Sequence, residues 1–181
     1  MSLQKTDEQL MLEVKKGELD SLAPLFEIYH VRLFNFFLRM TRDTNISEDL
    51  TQNVFKRILT YRESYSKEWL FRSWMYQIAR NASAKYYNEK KLLLSDFSSG
   101  EEIASENSSA IEELELQTNK EYLHEALNRL PFEQREIIEL SRFQGLKYKE
   151  IAEITGNTVP AIKVKVHRAI NKLRELFFEL A

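Results

Sequence analysis

From Leu146 to Leu173 the chain reads LKYKEIAEITGNTVPAIKVKVHRAINKL, two short amphipathic runs interrupted at Gly156-Asn157. In the first run Ile151, Ala152 and Ile154 are apolar among Lys147, Lys149, Glu150 and Glu153. In the second, Ile162, Val166, Ala169, Ile170 and Leu173 recur at helical spacing on one side. Thr158 is a good N-cap for that second run, and Pro160 falls in its first turn, where a missing N–H costs little. Gly156 suits the left-handed position that ends the first run. The pattern predicts a helix, a tight turn and a second helix, the arrangement that can lay its second helix in a DNA major groove.

The same periodicity runs through the rest of the chain. Residues 6–16 form a short amphipathic run with Leu10, Met11 and Val14, ended by Gly17. Ser21 caps a second run carrying Leu22, Leu25, Phe26, Ile28 and Tyr29, and a third from 31 to 42 is dense in large apolar groups, which reads as core. Asp43, Thr44 and Asn45 read as a loop, after which Ser47 opens a helix with Glu48 and Asp49 at its positive end. Residues 62–69 are a polar and aromatic loop, and a long helix follows from Phe71 to about Lys91. Phe71, Trp74, Met75, Ile78 and Ala82 share one face of it; Arg72, Ser73, Tyr76, Gln77, Arg80, Ser83 and Tyr87 lie opposite. Helices resume at about Lys120, with Leu123, Ala126, Leu127 and Leu130 inward, and at Pro131. Four glycines and three prolines in 181 residues leave little room for a turn-rich β fold. The expected fold is all-α: a helical domain over residues 1–93, an acidic linker over 94–119, and a helix-turn-helix domain over 120–181.

Net charge is −2, which alone argues against a nucleic-acid binder, but the charge is uneven. From Ser141 to Leu176 eight basic residues (Arg142, Lys147, Lys149, Lys163, Lys165, Arg168, Lys172, Arg174) face three acidic ones (Glu150, Glu153, Glu175). Pro160, Ala161, Lys163, Val164, Lys165, His167 and Arg168 point away from the apolar stripe, a locally basic face suited to phosphate contact. From Val54 to Lys91 nine basic residues are interleaved with nine aromatics, Tyr65, Trp69, Tyr76 and Tyr87 among them. Cations neutralise phosphates and rings stack on exposed bases, so this mixture suits single-stranded nucleic acid. A helix with an aromatic core face and a solvated charged face fits it equally well. Residues 92–119 contain no Lys or Arg and seven acids, which accounts for the slightly acidic total.

No cysteine is present, so disulfides and thiolate metal sites are excluded. No segment approaches the roughly 20 apolar residues needed to cross a bilayer, and the charged N-terminal stretch is unlike a secretory signal. His30, His124 and His167 are widely separated and lack metal-ligand spacing. Neither a glycine-rich phosphate loop nor a nucleophile elbow occurs. The residues therefore point to a non-enzymatic, cofactor-free cytoplasmic protein that binds nucleic acid. The rival readings are a stand-alone dimeric repressor with a helical sensory domain and a helical adaptor that binds only protein.

Three blocks narrow this further. DLTQNVFKRIL (Asp49 to Leu59), FRSWMYQIARNASAKYY (Phe71 to Tyr87) and LPFEQREIIELSRFQGLKYKEIAEITGNTVPAIKVKVHRAINKLREL (Leu130 to Leu176) resemble, in order, the characteristic blocks of the extracytoplasmic-function sigma factors, small sigma subunits of bacterial RNA polymerase. The resemblance covers nearly the whole chain, and the three blocks together are far more specific than any one. It implies core RNA polymerase, promoter DNA and an anti-sigma factor as partners, with no membrane insertion. It places contact with the polymerase clamp at Asp49, Gln52, Asn53, Phe55 and Lys56. It assigns the melted downstream element to Tyr65, Lys67, Trp69, Arg72, Tyr76, Arg80 and Asn81. It assigns the upstream duplex to Thr158, Pro160, Ala161, Lys163, Val164, Lys165, His167, Arg168 and Lys172. The sequence departs from the family at Asn53, where glutamate is common, and at Val164 and Lys165, where serine and arginine are frequent; these departures bear on promoter sequence and fine contacts.

Overall fold

A computed structural model of the chain describes residues 5–96 and 111–181. Its helices are α1 (Asp7–Lys15), α2 (Leu22–Thr41), α3 (Thr44–Thr60), α4 (Phe71–Asp96), α5 (Ile111–Arg129), α6 (Phe132–Ile138), α7 (Tyr148–Thr155) and α8 (Val159–Leu180). No strand occurs among the described residues. Helices α1 to α4 pack into one bundle and α5 to α8 into another.

Local chemistry sets the helix starts. Thr6 and Gln9 form a reciprocal capping box at α1: the Gln9 N–H donates to Thr6 Oγ1 at 3.3 Å and the Thr6 N–H donates to Gln9 Oε1 at 2.9 Å. The two runs expected on either side of residue 30 are one continuous helix, α2, because nothing between them breaks the backbone ladder. Arg42 ends α2 in the left-handed region (φ 62°). Helix α3 starts at Thr44, earlier than the expected Ser47, because Asp43 supplies the cap: its Oδ1 accepts the Ile46 N–H at 3.0 Å. Ser47 is instead buried, donating to the Asp43 carbonyl at 2.5 Å and pairing with the Thr41 hydroxyl at 3.0 Å.

The first bundle closes over Met11, Val14, Leu25, Leu33, Phe36, Phe37, Val54, Ile58, Phe71 and Met75, all fully buried. Each side chain of this size stabilises the fold by about 1.5–3 kcal/mol through burial. The second bundle closes over Ala126, Leu130, Ile138, Leu140, Ile151, Ile154, Ile162, Val166 and Ala169. Leu123, expected inward, is exposed, while Ala126, Leu127 and Leu130 are buried. Arg135 reaches back to cap the end of α5, donating from Nη2 to the carbonyls of Asn128 (2.5 Å) and Leu130 (3.2 Å). Burial pushes its pKa down.

Helix α4 runs to Asp96 and α5 begins at Ile111, where the expectation had a linker from 94 to 119. The linker expected over 97–110 lies outside the described residues.

Candidate nucleic-acid and polymerase interfaces

The turn between α7 and α8 has the predicted construction. Gly156 adopts φ 67° and closes α7. Asn157 Nδ2 donates to the Thr155 carbonyl at 3.1 Å, and Thr158 Oγ1 accepts the Ala161 N–H at 3.3 Å. Ile162, Val166 and Ala169 anchor α8 in the second bundle, and that anchoring rotates the opposite face outward. Thr158, Pro160, Lys163, Val164, Lys165, His167, Arg168 and Lys172 are exposed along it and Ala161 is half-buried at its edge. Lys165 donates to Asn157 Oδ1 at 3.2 Å, His167 makes a 3.0 Å contact with Asn171, and Lys172 bridges to Glu175 at 3.1 Å. Such exposed contacts are weak and exchange readily for a phosphate or a base edge.

On α3, Asp49, Gln52, Asn53 and Lys56 are exposed. Phe55, expected at the polymerase clamp, is buried here, tilted against Phe26 with ring centroids 4.8 Å apart. Its place on the outer surface is taken by side chains assigned from sequence to the core. Phe26, exposed on α2 and stacked on His30 at 4.8 Å, joins Val31, Phe34 and Gln52 in a shallow groove of about 350 Å³ between α2 and α3. Phe26, Ile28 and Val31 are exposed because α2 carries more apolar side chains than its packed face covers.

The loop before α4 divides its aromatic residues. Tyr65 is fully buried, packed edge-on against Trp74 at 5.1 Å, with its hydroxyl donating to the Trp69 carbonyl at 2.8 Å. It supports the loop from within and, contrary to its expected exposure, offers no ring face to solvent here. Burial raises its pKa. Lys67, Trp69 and Leu70 are exposed at the loop tip.

The α4 face assigned to DNA is partly covered by the second bundle. Arg72 grips Glu150 of α7 through Nη2 at 2.7 and 2.8 Å and Nε at 3.1 Å. Arg80 Nε donates to Glu136 of α6 at 3.0 Å. Tyr76 is buried, donating to Gln144 Oε1 at 2.6 Å, and burial raises its pKa. Tyr76 is thus covered by the second bundle, a correction to its expected exposure, while Asn81 remains exposed. A third pair, which the sequence did not single out, joins Arg39 of α2 to Glu139 through Nε at 2.7 and 2.9 Å.

The second bundle presents these acids by a local irregularity. After α6 the chain makes a π-helical turn, Glu139–Phe143, in which the Gln144 N–H donates to the Glu139 carbonyl at 2.9 Å. The wide turn brings Glu139 and Gln144 to the same side, facing the first bundle. Burial pushes Glu139 up to about 7 against the opposing pull of Arg39, and raises Glu136 against Arg80. Glu136 Oε1 is buried without a partner. Glu150 also accepts the Lys147 N–H at 2.8 Å and so caps its own helix. Among the described residues no three His, Cys, Asp or Glu are grouped to hold a metal ion, and no helix is long and apolar enough to cross a membrane.

A helix-turn-helix with an exposed basic face, joined to a bundle with a basic and aromatic helix, defines a nucleic-acid-binding transcription protein. Residues 25–92 match sigma-70 region 2 and residues 120–173 match sigma-70 region 4. The chain is 31% identical to the RNA polymerase sigma factor SigZ of Bacillus subtilis over 158 residues, covering 86% of each chain. It is 29% identical to the sigma factor CarQ of Myxococcus xanthus over 170 residues, covering 94% of this chain and 97% of that one. The sigma factor RpoE of Bartonella quintana, whose structure was solved with the anti-sigma factor NepR, superposes with a TM-score of 0.66 at 26% identity, over 84% of this chain and 94% of that one. The chain belongs to the extracytoplasmic-function family of RNA polymerase sigma factors.

Proposed function

We propose that this chain directs core RNA polymerase to its promoters through three separate surfaces. The observation that carries the reading is the α8 face, where cations stand exposed beside a capped helix start while the opposite face is anchored in the bundle. The N-terminal half of α8 reads the upstream element in the major groove: Ala161 lies against a thymine methyl and Lys165 reaches guanine acceptors. Thr158 and Pro160 set the start of the helix against the duplex, and Val164 and His167 fill the contact. Lys163, Arg168 and Lys172 bind mainly phosphates. The exposed α3 residues Asp49, Gln52, Asn53 and Lys56 bind the polymerase clamp. Lys67 and Trp69 at the loop tip, with Arg72, Arg80 and Asn81 on α4, hold the melted strand. The chain supplies no catalytic group; bond formation belongs to the polymerase, in the cytoplasm. The solved complex of RpoE with an anti-sigma factor supports a protein of that kind as the restraint on this one.

The test is promoter selection with two substitutions. Lys165→Ala should change which upstream base pair is preferred, at a cost of about 1–3 kcal/mol at that position. Lys172→Ala should weaken all sequences alike and flatten the salt dependence by about one unit of slope. A Lys165 variant that binds every sequence uniformly more weakly would place the reading helix in a different register.

A further inference from the structure

Arg72 and Arg80, assigned above to the melted promoter strand, are occupied in the free chain by carboxylates of its own second bundle. Arg39 meets both oxygens of Glu139 through Nε alone, at 2.7 and 2.9 Å, and Arg80 meets Glu136 through a single Nε contact at 3.0 Å. Arg72 meets Glu150 in a fork, with three contacts from Nε and Nη2 between 2.7 and 3.1 Å. A planar guanidinium offers a phosphate this same fork. The three glutamates are almost completely buried, while the arginine side chains keep 24%, 30% and 31% of their surface exposed at Arg39, Arg72 and Arg80. The acids are therefore the inserted partner and the arginines the receiving surface. Tyr76 is covered by the same bundle, its hydroxyl bonded to Gln144.

We propose that Glu136, Glu139 and Glu150 act as an internal stand-in for the promoter strand, latching the two bundles together over the Arg72–Tyr76–Arg80 face, so that closure and strand capture exclude each other. This rests on the assignment of that face to promoter DNA. The latch is built to release. Burying carboxylates costs desolvation that ion pairing only partly returns, as the raised Glu136 and Glu139 and the orphaned Glu136 Oε1 record. Opening returns those acids to water and frees the arginines together. Any ligand that binds only the open form must overcome the closed population, so its apparent affinity falls by the fraction that is open. Lys67, Trp69 and Asn81 lie outside the covered face and remain available for a first contact.

The test uses the full chain with Glu136→Gln, Glu139→Gln and Glu150→Gln combined, which keeps hydrogen-bond acceptors and removes the charge. Two quantities are measured: the radius of gyration by X-ray scattering, and the affinity for a fluorescent single-stranded deoxyoligonucleotide. The variant should be more extended than the native chain and bind the strand at least tenfold more tightly. A second variant, Glu136→Gln with Glu139→Gln, leaves the Glu150 cap of α7 intact and should move both quantities in the same direction; its circular dichroism verifies that the helices persist. A variant that stays compact and binds no better overturns the latch. One that stays compact yet binds better reduces the acids to simple repulsion and also overturns it. One that extends without binding better leaves the bundles latched in the native chain but removes the promoter assignment of the face, and with it the competition.

Discussion

Asp49→Arg should weaken association with core polymerase while leaving the fold intact. Asp49 is exposed on α3, beside Gln52 and Asn53 and next to the groove formed with Phe26 and Val31. Its carboxylate makes no ion pair within the chain among the described residues, so it is free for a partner. Reversing its charge would place a cation where the proposed clamp contact has an anion, and a central contact of this kind contributes about 2 kcal/mol or more. That corresponds to an affinity loss of about thirtyfold or greater. An exposed substitution away from the core changes stability by less than about 0.5 kcal/mol, so the melting temperature should hardly move. Co-purification with core polymerase and a thermal melt, done side by side, check both halves. Unchanged co-purification would move the clamp contact off this face.

Tyr65 carries the second large effect, and here the structure reverses the expectation from sequence. Its ring is fully buried against Phe71 and Trp74, and its hydroxyl holds the Trp69 carbonyl. Tyr65→Ala should destabilise the first bundle by about 3–5 kcal/mol, as removal of a buried aromatic ring does. The melting temperature should then fall by more than about 12 °C. Tyr65→Phe removes only one hydrogen bond, at about 0.5–1.5 kcal/mol, and should retain strand binding. If Tyr65→Phe melted normally but lost strand binding, the hydroxyl would be a DNA contact after all.

Much of this molecule was legible in its sequence. The helix-turn-helix was the clearest case, because capping, a left-handed glycine and helical periodicity all act within a few residues. Thr158, Gly156 and the apolar positions of α8 fall where these rules put them. The exposed basic face followed from the same periodicity, since burying Ile162, Val166 and Ala169 leaves Lys163, Lys165 and Arg168 no other place.

What the pattern missed depends on tertiary contacts. Phe55 and Tyr65 share sequence neighbourhoods with exposed polar residues, and only the packing of α2 against α3 and of the loop against α4 shows that both are core. Phe26 and Val31 err in the opposite direction: a hydrophobic residue in a dense run reads as buried, yet α2 has more apolar side chains than its partners can cover. The arrangement of Arg39, Arg72 and Arg80 with Glu139, Glu150 and Glu136 was invisible, since its partners lie 100, 78 and 56 residues apart. Those glutamates look like ordinary solvated charges along their own helices. Asp43 was read as loop because its cap, like any Asx cap, sits at the boundary between both states.

The central claim is that this chain programs RNA polymerase, and transcription from defined promoters by purified components tests it most directly. Native chain added to sigma-free core polymerase, with a pool of randomised promoter DNA, should yield discrete run-off transcripts. Their templates should share one upstream and one downstream element, and the upstream preference should change in the Lys165→Ala protein. Transcription no greater than that of core polymerase alone, with the chain binding its DNA equally well in the absence of polymerase, would contradict the account.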